Sequence, residues 1–218
     1  MKGVITMSSF KNSGASSVVY NVLNTIIDNW TYLSEVDGLI GDGDHGVNMN
    51  KGFTMTKNKL GGKEVSLSEG FNVLGKTLIL EIGGSMGPLY GTFFIEFSKA
   101  CKEVEDIDKE AFGATLEGAL KGMQAFDKAK VGDKTLMDTL VPAIEGYKAA
   151  LAAGKDFKTA LEDMKIEAEK GKESTRNMVA KIGRAARLGE RSRGVLDAGA
   201  TSCNLILKSM ADAIIVLL

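Results

Sequence analysis

Three aspartates lie close together in the run DGLIGDGDHGVN, which leaves one predicted helix and opens the next. Asp37, Asp42 and Asp44 place three carboxylates within eight residues. Crowded negative charges repel one another unless a cation neutralises them, and hard oxygen ligands beside a phosphate-sized space suit Mg²⁺ or Ca²⁺. The spacing lacks the bidentate glutamate of an EF-hand loop, which favours magnesium. The structural alternative is that Asp42 and Asp44 form Asx turns and cap the following helix.

His45 is the only histidine in the chain and stands at the predicted start of a helix. Backbone N–H groups and the helix dipole favour an anion at such a position, so His45 is a candidate phosphate contact. The alternative is a solvent-exposed loop histidine. The chain has no Gly-x-x-x-x-Gly-Lys-Ser/Thr loop and no Cys/His cluster for zinc. A metal-plus-phosphate site on loops between helices remains.

Further glycine-rich loops carry polar residues. The run GGSMGP precedes a helix and leaves backbone donors and the Ser85 hydroxyl free to meet a phosphate, although it is also an ordinary turn between helices. The run VGDKT places Asp133 where it can cap a helix, so we expect a structural wall there. Residues 181–193 are basic, and an arginine beside glycine-rich turns can supply the bidentate donor that a phosphate needs.

The elements that must position these loops are helices. Apolar residues recur at helical spacing and predict eight amphipathic helices, at about 16–36, 46–60, 67–82, 88–104, 109–129, 135–153, 157–188 and 199–217. No stretch shows sustained alternation, so no strand is predicted. Short loops imply antiparallel neighbours. We expect an all-α bundle or closed barrel of about eight antiparallel helices, forming a single domain over residues 15–218 after a flexible end at 1–14.

Composition excludes several classes of function. Lys plus Arg number 27 against 28 Asp plus Glu, so no long-range positive field gathers nucleic acid or an anionic membrane. The longest apolar runs, such as the closing AIIVLL, are too short to span a bilayer, and the start lacks a signal peptide's apolar region. Cys101 and Cys203 stand far apart, which fits reduced thiols in a cytoplasmic protein.

Four runs occur in order over most of the chain: IGDGDHGVNMNKGF, GGSMGPLYGTFF, KVGDKTLMDTL and GRAARLGERSRGVLDAGATS. Together they resemble the L subunit of dihydroxyacetone kinase. The resemblance implies a barrel of eight antiparallel amphipathic helices with a nucleotide at one end. That architecture agrees with the number of helices predicted from the periodicity.

The resemblance also implies a set of site residues. Asp37, Asp42 and Asp44 match the family's magnesium ligands, which hold two Mg²⁺ ions against the nucleotide phosphates. The positions that match nucleotide contacts are His45, Gly46, Val47, Asn48, Ser85, Met86, Asp127, Leu136, Arg184, Asp197, Ala198 and Gly199. The chain departs from the family at Met86, where serine is frequent, at Asp127, where glycine is common, and at Ala198, where proline is common. These departures bear on nucleotide contacts and leave the magnesium ligands unchanged.

The implied activity is that of a kinase subunit that works only with partners. ADP would be a bound cofactor, phosphorylated to ATP by a phosphohistidine-carrying M-type protein of the phosphotransferase system. The phosphoryl group would then pass to dihydroxyacetone or a similar ketose held on a K subunit. No nucleophile or general base is assigned to this chain. We expect partners to dock on the loops around the nucleotide, near Arg191 and Arg193.

Several alternatives stay open at this point. The chain could be an ATP-dependent ketose kinase subunit, a nucleotide-loaded module that signals to a transcription regulator, or the L-like domain of a fatty-acid kinase. The last usually has threonine where His45 stands. The sequence leaves undecided the ketose, the choice between Mg²⁺ and Mn²⁺, and whether the subunit is a monomer or a homodimer.

Overall fold

The computed structural model describes residues 9–218, apart from the side chain of Phe126. Within these residues lie nine α-helices and two short strands. The helices are α1 (Ser16–Asp28), α2 (Trp30–Gly38), α3 (Asp44–Leu60), α4 (Leu67–Glu81), α5 (Met86–Cys101), α6 (Lys109–Phe126), α7 (Met137–Ala152), α8 (Phe157–Ser174) and α9 (Ala198–Leu217). The strands are β1 (Ser9–Lys11) and β2 (Asp106–Asp108). The prediction of an all-α fold is confirmed.

Eight of the described helices close into a ring. Their packing follows the order α1, α3, α4, α5, α6, α7, α8 and α9, and α9 packs back against α1. The short α2 lies beside this ring, against α3 and α9. Neighbouring helices run antiparallel, as α4 and α5 show. Gly75 within α4 lies against Gly91 of α5, whereas Ile82, just after the end of α4, lies against the earlier residue Gly87. The predicted barrel therefore describes the observed ring.

Apolar side chains fill the centre of the ring. One contiguous buried cluster runs from Phe10 near the described start to Ile214 in the last helix. Aromatic rings form a connected series within it, with centroids 5.0–6.4 Å apart: Phe10, Phe53, Phe71, Phe93, Phe94, Phe97, Phe112, Tyr147 and Phe157. Such rings supply large apolar areas in favourable edge-to-face and offset contacts. The barrel interior is thus a packed core.

The connections of the site all meet at one end of the ring. These are residues 39–43, 82–85, 127–136 and 175–197, which join consecutive helices at that end. At the opposite end, Ser66, Asp108 and Asp156 cap the starts of α4, α6 and α8 by accepting a backbone N–H three residues on. Each such cap typically contributes about 1 kcal/mol. The capped end fixes where the helices begin and leaves the other end free for long loops.

Two predicted helices differ from those observed. The helix predicted over 16–36 is divided at Asn29, whose backbone (φ −106°, ψ 10°) leaves the helical region. The helix predicted over 157–188 ends at Ser174. Beyond it the chain makes short 3₁₀ turns up to α9, with Gly183, Gly189 and Gly194 at positive φ. Left-handed glycines interrupt an α-helix, so the apolar spacing there does not correspond to one.

The sequence predicts no strand, but the structure contains two short ones. β1 pairs with β2 in antiparallel register, with Phe10 opposite Ile107. Strands of three residues are too short to show alternation in the sequence. The prediction of a flexible end was wrong for residues 9–14, because β1 is paired and Asn12 is 3% exposed. Residues 1–8 of that prediction lie outside the described residues.

Two other sequence features have clear places in the fold. Cys101 and Cys203 are buried and free. Among residues 9–218, α9 is the one helix long and apolar enough to qualify as a membrane span. The sequence analysis, which counted only unbroken apolar runs, predicted no such segment. Two thirds of its apolar window is buried within the ring, where a core helix of this composition is expected.

Candidate functional site

A cavity of about 500 Å³ opens at the loop end of the ring. Most of the residues expected at a site line it: Asp37, Asp42, Asp44, His45, Asn48, Ser85, Met86, Asp127, Leu136, Arg184, Asp197, Ala198 and Gly199. Gly46 and Val47 do not line it and lie in the first turn of α3. Four loops that are distant in sequence thus contribute to one concave surface.

Asp37, Asp42 and Asp44 converge at the cavity. Asp37 is in the last turn of α2, Asp42 is in the connecting loop, and Asp44 begins α3. One carboxylate oxygen from each lies within 4.8 Å of the others. Asp37 Oδ2 also accepts a hydrogen bond from the backbone N–H of His45, at 3.3 Å. Three converging carboxylate oxygens form a donor set that fits a hard divalent cation.

Glycines make this tight loop possible. Gly43 has φ +76° immediately before α3, a left-handed conformation that side chains rarely adopt. At Gly41, a Cβ atom would overlap the carboxylate of Asp37. The loop therefore requires glycine at both positions to bring the second and third carboxylates back towards the first.

Arg184 reaches the carboxylates from the segment between α8 and α9. Its guanidinium pairs with the carboxylate of Asp42. The Arg184 side chain is 63% exposed, and exposed ion pairs contribute about 0–1 kcal/mol to stability. The pair therefore contributes little to the stability of the fold, and its main effect is to place a guanidinium group beside the acidic cluster.

His45 is joined to two other helices by hydrogen bonds. Its Nε2 lies 2.9 Å from Ser202 Oγ of α9, and Ser202 Oγ lies 2.7 Å from the hydroxyl of Tyr90 in α5. The Tyr90 hydroxyl donates to the carbonyl of Gly199 at 2.9 Å. Burial lowers the pKa of His45 to about 4, against the opposing charge of Asp37. The imidazole is neutral at pH 7 and offers hydrogen bonds rather than a charge.

The loop before α5 presents its backbone to the cavity. α5 begins at Met86, two residues earlier than predicted, and Ser85 precedes it without a side-chain cap. Gly84 has φ +75°, and an added Cβ there would meet open space. The first N–H groups of a helix lack partners within the helix and carry its positive dipole end. This loop can therefore bind an anion through its backbone.

The loop before α7 is built differently from the sequence prediction. Asp138, rather than Asp133, organises it, because its carboxylate accepts hydrogen bonds from Gly132 N at 2.5 Å and Thr135 N at 2.7 Å. Asp133 instead accepts from the backbone N–H of Lys130, at 3.1 Å. Lys134, which the sequence analysis did not single out, is 1% exposed and lines the cavity.

Asp197 caps the start of α9 and lines the cavity on that side. Its carboxylate accepts the N–H of Ala200 at 2.7 Å, and its own N–H donates to Thr175 Oγ1 at 3.1 Å. Burial raises the pKa of Asp197 to about 7, although the Ala200 hydrogen bond and the charge of Lys134 oppose the shift. This carboxyl therefore titrates close to neutral pH.

Sequence reasoning missed Tyr90, which lines the cavity, and Ser202, which contacts the ring of His45. Both stand inside runs that were recognised, GGSMGPLYGTFF and DAGATS. Their hydroxyls lie toward the interior on helices whose spacing indicates only a buried face. Polar residues on a predicted apolar face were the signal available in the sequence.

The family of the chain follows from comparison with known proteins. Residues 39–212 match the family model described as the DAK2 domain. The match covers most of the chain, including α3 and the loops that line the cavity. It begins two residues after Asp37, so that carboxylate lies outside it. The chain belongs to the DAK2 domain family.

Individual relatives are similar to this chain over most of their length. The chain is 37% identical over 185 residues to the "PEP-dependent dihydroxyacetone kinase, ADP-binding subunit DhaL" of Escherichia coli (strain K12), covering 84% of this chain and 87% of that protein. It is 38% identical over 184 residues to the "PEP-dependent dihydroxyacetone kinase 1, ADP-binding subunit DhaL" of Listeria innocua, again covering 84% of this chain and 87% of that protein. A crystal structure of the dihydroxyacetone kinase of C. freundii superposes with a TM-score of 0.68 at 24% identity. It covers 97% of this chain but 37% of that longer chain, and it shows the fold.

Proposed function

We propose that this chain is the ADP-binding subunit of a phosphoenolpyruvate-dependent dihydroxyacetone kinase. It would accept a phosphoryl group from a phosphohistidine protein onto bound ADP and pass it to a ketose on a separate K subunit. The observation that carries the proposal is the convergence of three carboxylates and Arg184 at the cavity mouth. Support also comes from relatives described as ADP-binding subunits, which match over most of both chains.

Asp37, Asp42 and Asp44 would hold two Mg²⁺ ions. The bound ions would neutralise charge on the phosphates and on the transferred group. Without a cation the three carboxylates repel one another, and Arg184 already offsets part of that charge through Asp42. The donor set contains oxygen alone, as magnesium prefers.

The remaining residues would bind and orient the nucleotide. Arg184 would donate to phosphate oxygens, and the start of α5 at Ser85 and Met86 would offer backbone N–H groups. His45 would contribute a hydrogen bond from a neutral ring held by Ser202. Phosphoryl transfer depends on positioning and charge stabilisation, so we assign no nucleophile or general base to this chain.

The site also places limits on partners. A phosphoryl group must cross an interface twice, so both partners would dock at the loop end of the ring. The basic segment before α9, with Arg191 and Arg193 exposed, borders that end. The two buried free thiols are compatible with a reducing compartment, and we place the protein in the cytoplasm.

Native mass spectrometry of freshly purified protein, without added nucleotide, tests the proposal. We expect a noncovalent adduct of one ADP with two metal ions. A protein that is purified free of nucleotide and exchanges ATP readily would instead support an ATP-dependent kinase. Relatives described as erythrulose kinases and triokinase, at 27–30% identity, keep that alternative and the ketose specificity open to experiment.

Removing single carboxylates tests the metal ligands. Asp42→Asn and Asp44→Asn should abolish magnesium-dependent ADP binding in calorimetry while the circular dichroism spectrum stays helical. Asp28→Asn, at the exposed end of α1, is the control with the same change of charge. Unchanged ADP affinity in either loop variant would contradict the assignment.

A further inference from the structure

The ammonium group of Lys134 lies among three backbone carbonyls. Its Nζ donates to Thr175 O at 2.7 Å, Val195 O at 2.6 Å and Met178 O at 3.4 Å. An ammonium group has three donors, and all three are used here. Buried lysines are rare unless their charge is satisfied, and this side chain is 1% exposed. The ammonium group of Lys134 is thus buried with all of its donors satisfied by backbone carbonyls.

The three carbonyls bracket one segment. Thr175 and Met178 stand where the chain leaves α8, and Val195 stands just before α9. Gly194 N donates to Arg176 O at 2.8 Å, which closes the base of the same segment. Between these points the chain contains 3₁₀ turns and left-handed glycines but no α-helix. The segment therefore depends on a few fastenings at its base.

This segment carries Arg184 to the carboxylates. Arg184 lies about midway along it and pairs with Asp42, 142 positions earlier in the chain. Lys181, three residues before Arg184, donates its N–H to Asp133 O at 3.2 Å. The loop that holds Lys134 thus contacts the segment at its base and near its tip. Movement of the base would displace the arginine.

The backbone of Lys134 is specialised for this contact. Among residues 9–218 it is the one residue other than glycine with positive φ, at +62°. That conformation costs free energy for a side chain and persists where surrounding contacts enforce it. Burial lowers the pKa of the Lys134 ammonium, opposed by the charges of Asp197 and Asp138. A strained and buried lysine thus stands at a position where glycine would adopt the same backbone without strain.

We propose that Lys134 is a positioning residue that fastens both ends of the segment 175–195 and thereby holds Arg184 over the nucleotide phosphates. Its ammonium offsets the repulsion between three convergent carbonyl dipoles, and without it the base of the segment opens. The nucleotide part of this inference rests on the proposed function. The fastening itself concerns the nucleotide-free protein.

Hydrogen exchange of the nucleotide-free protein tests the fastening. Lys134→Met keeps an unbranched side chain that is one atom shorter and removes the three donors. We expect amides of residues 176–196 to exchange at least about tenfold faster, because the segment opens locally. Amides of α4 and α5 should keep their rates. Lys130→Met, an exposed change in the same loop, is the control and should leave both regions unaffected. Unchanged exchange of residues 176–196 in Lys134→Met would overturn the proposal.

A double-mutant cycle tests whether Lys134 acts through Arg184. ADP affinity is measured for the wild type, Lys134→Met, Arg184→Ala and the double variant in magnesium. If Lys134 works by placing Arg184, the loss in the double variant should be close to that of Arg184→Ala alone, roughly within threefold. Losses that multiply would show that Lys134 does not act through Arg184. A general loss of packing would also give multiplied losses.

Lys134→Gly covers the case in which Lys134→Met does not fold. Glycine adopts φ +62° without strain and removes the same three donors. If neither variant folds, Lys134 is required by the whole ring and the positioning role is overturned. If the wild type fails to bind ADP, the proposed function fails, whereas the exchange experiment still decides whether Lys134 fastens the segment.

Discussion

The imidazole Nε2 of His45 lies 2.9 Å from the hydroxyl oxygen of Ser202, although 157 positions separate the two residues in the chain. The contact joins the start of α3 to the first turns of α9. Ser202 in turn contacts the hydroxyl of Tyr90 in α5. Side chains from three helices therefore form one chain of contacts that includes the imidazole of His45. A neutral histidine can rotate to several hydrogen-bonding arrangements, and this contact selects one of them.

Ser202→Ala should weaken ADP binding without unfolding the protein. The hydrogen bond that it removes is worth about 0.5–1.5 kcal/mol, so we expect roughly a two- to tenfold loss of affinity by calorimetry. Ser209→Ala is the matched control, because Ser209 is buried on the same helix and its hydroxyl donates to the carbonyl of Ile206 within that helix. Equal affinities in both variants would show that Ser202 does not orient His45 for the nucleotide.

Asn12→Ala should destabilise the fold and spare the site. The Asn12 amide donates to Cys101 O at 2.9 Å and Val104 O at 3.0 Å, and its oxygen accepts from Ser68 N at 3.1 Å. These contacts lie at the end of the ring opposite the cavity. We expect a loss of about 2–4 kcal/mol in urea denaturation, because several buried groups lose partners.

The control for Asn12→Ala is Asn58→Ala, an exposed change within α3. It should leave the free energy of unfolding within about 0.5 kcal/mol of the wild type. ADP affinity of both variants should equal that of the wild type at a temperature where both are folded. A weaker affinity in Asn12→Ala would mean that the two ends of the ring are coupled.

Asp197 should make the free energy of unfolding depend on pH. Burial raises its pKa from the ordinary 3.8 to about 7, so the folded protein binds this proton more tightly than the unfolded chain. Its contribution to stability should therefore be greatest below about pH 4 and should be lost as the pH rises to about 7. Lys134, Asp138 and Asp37 are the charged groups that act on it.

Denaturation of wild type and Asp197→Asn at several pH values measures this effect. The pKa of His45 is lowered, which gives the opposite slope between about pH 4 and 6.5, so the difference between the two proteins is the informative quantity. Asparagine keeps an oxygen for Ala200 N. We expect the advantage of the wild type to shrink as the pH rises. A difference that is constant with pH would contradict the raised pKa.

Gly46→Ala should separate α3 from α2. A Cβ at Gly46 would overlap the carbonyl oxygen of Trp30 and approach Ser34, both backbone or short-chain atoms that cannot move aside independently. Overpacking of this kind costs about 1–3 kcal/mol. Gly118→Ala is the control, since its Cβ would meet only Ala100 Cβ at 3.5 Å. Comparable melting temperatures for the two variants would show that the helices can adjust.

The helical ring could be predicted from the sequence because each helix has its own apolar face. Val18, Val22 and Ile26 keep helical spacing whether or not the chain bends at Asn29, so the division of the first helix left no trace in the pattern. The two strands are defined by pairing across almost a hundred residues, which periodicity does not report. Boundaries and long-range pairings were therefore the less predictable part of the fold.

The cavity was predictable in its loops and less so in its contacts. The three carboxylates of Asp37, Asp42 and Asp44 are close in sequence, and the short glycine-rich loop between them brings them close in space. Lys134 was not singled out, because a lysine in a polar loop is most often exposed. Its burial depends on carbonyls contributed by residues 175–195, and only the assembled ring brings them to one point.

The packing of α1 against α9 has a consequence for synthesis of the protein. The ring closes between its first and last helices, so the side of α1 that contacts α9 remains uncovered while the intervening helices are translated. A nascent chain can stack the hairpins of α4 to α8 as they emerge, but it completes the barrel only after Ala198–Leu217 leaves the ribosome tunnel. Exposed apolar surface at that stage is a risk for aggregation. Chaperone dependence should therefore persist until α9 has emerged and covered α1.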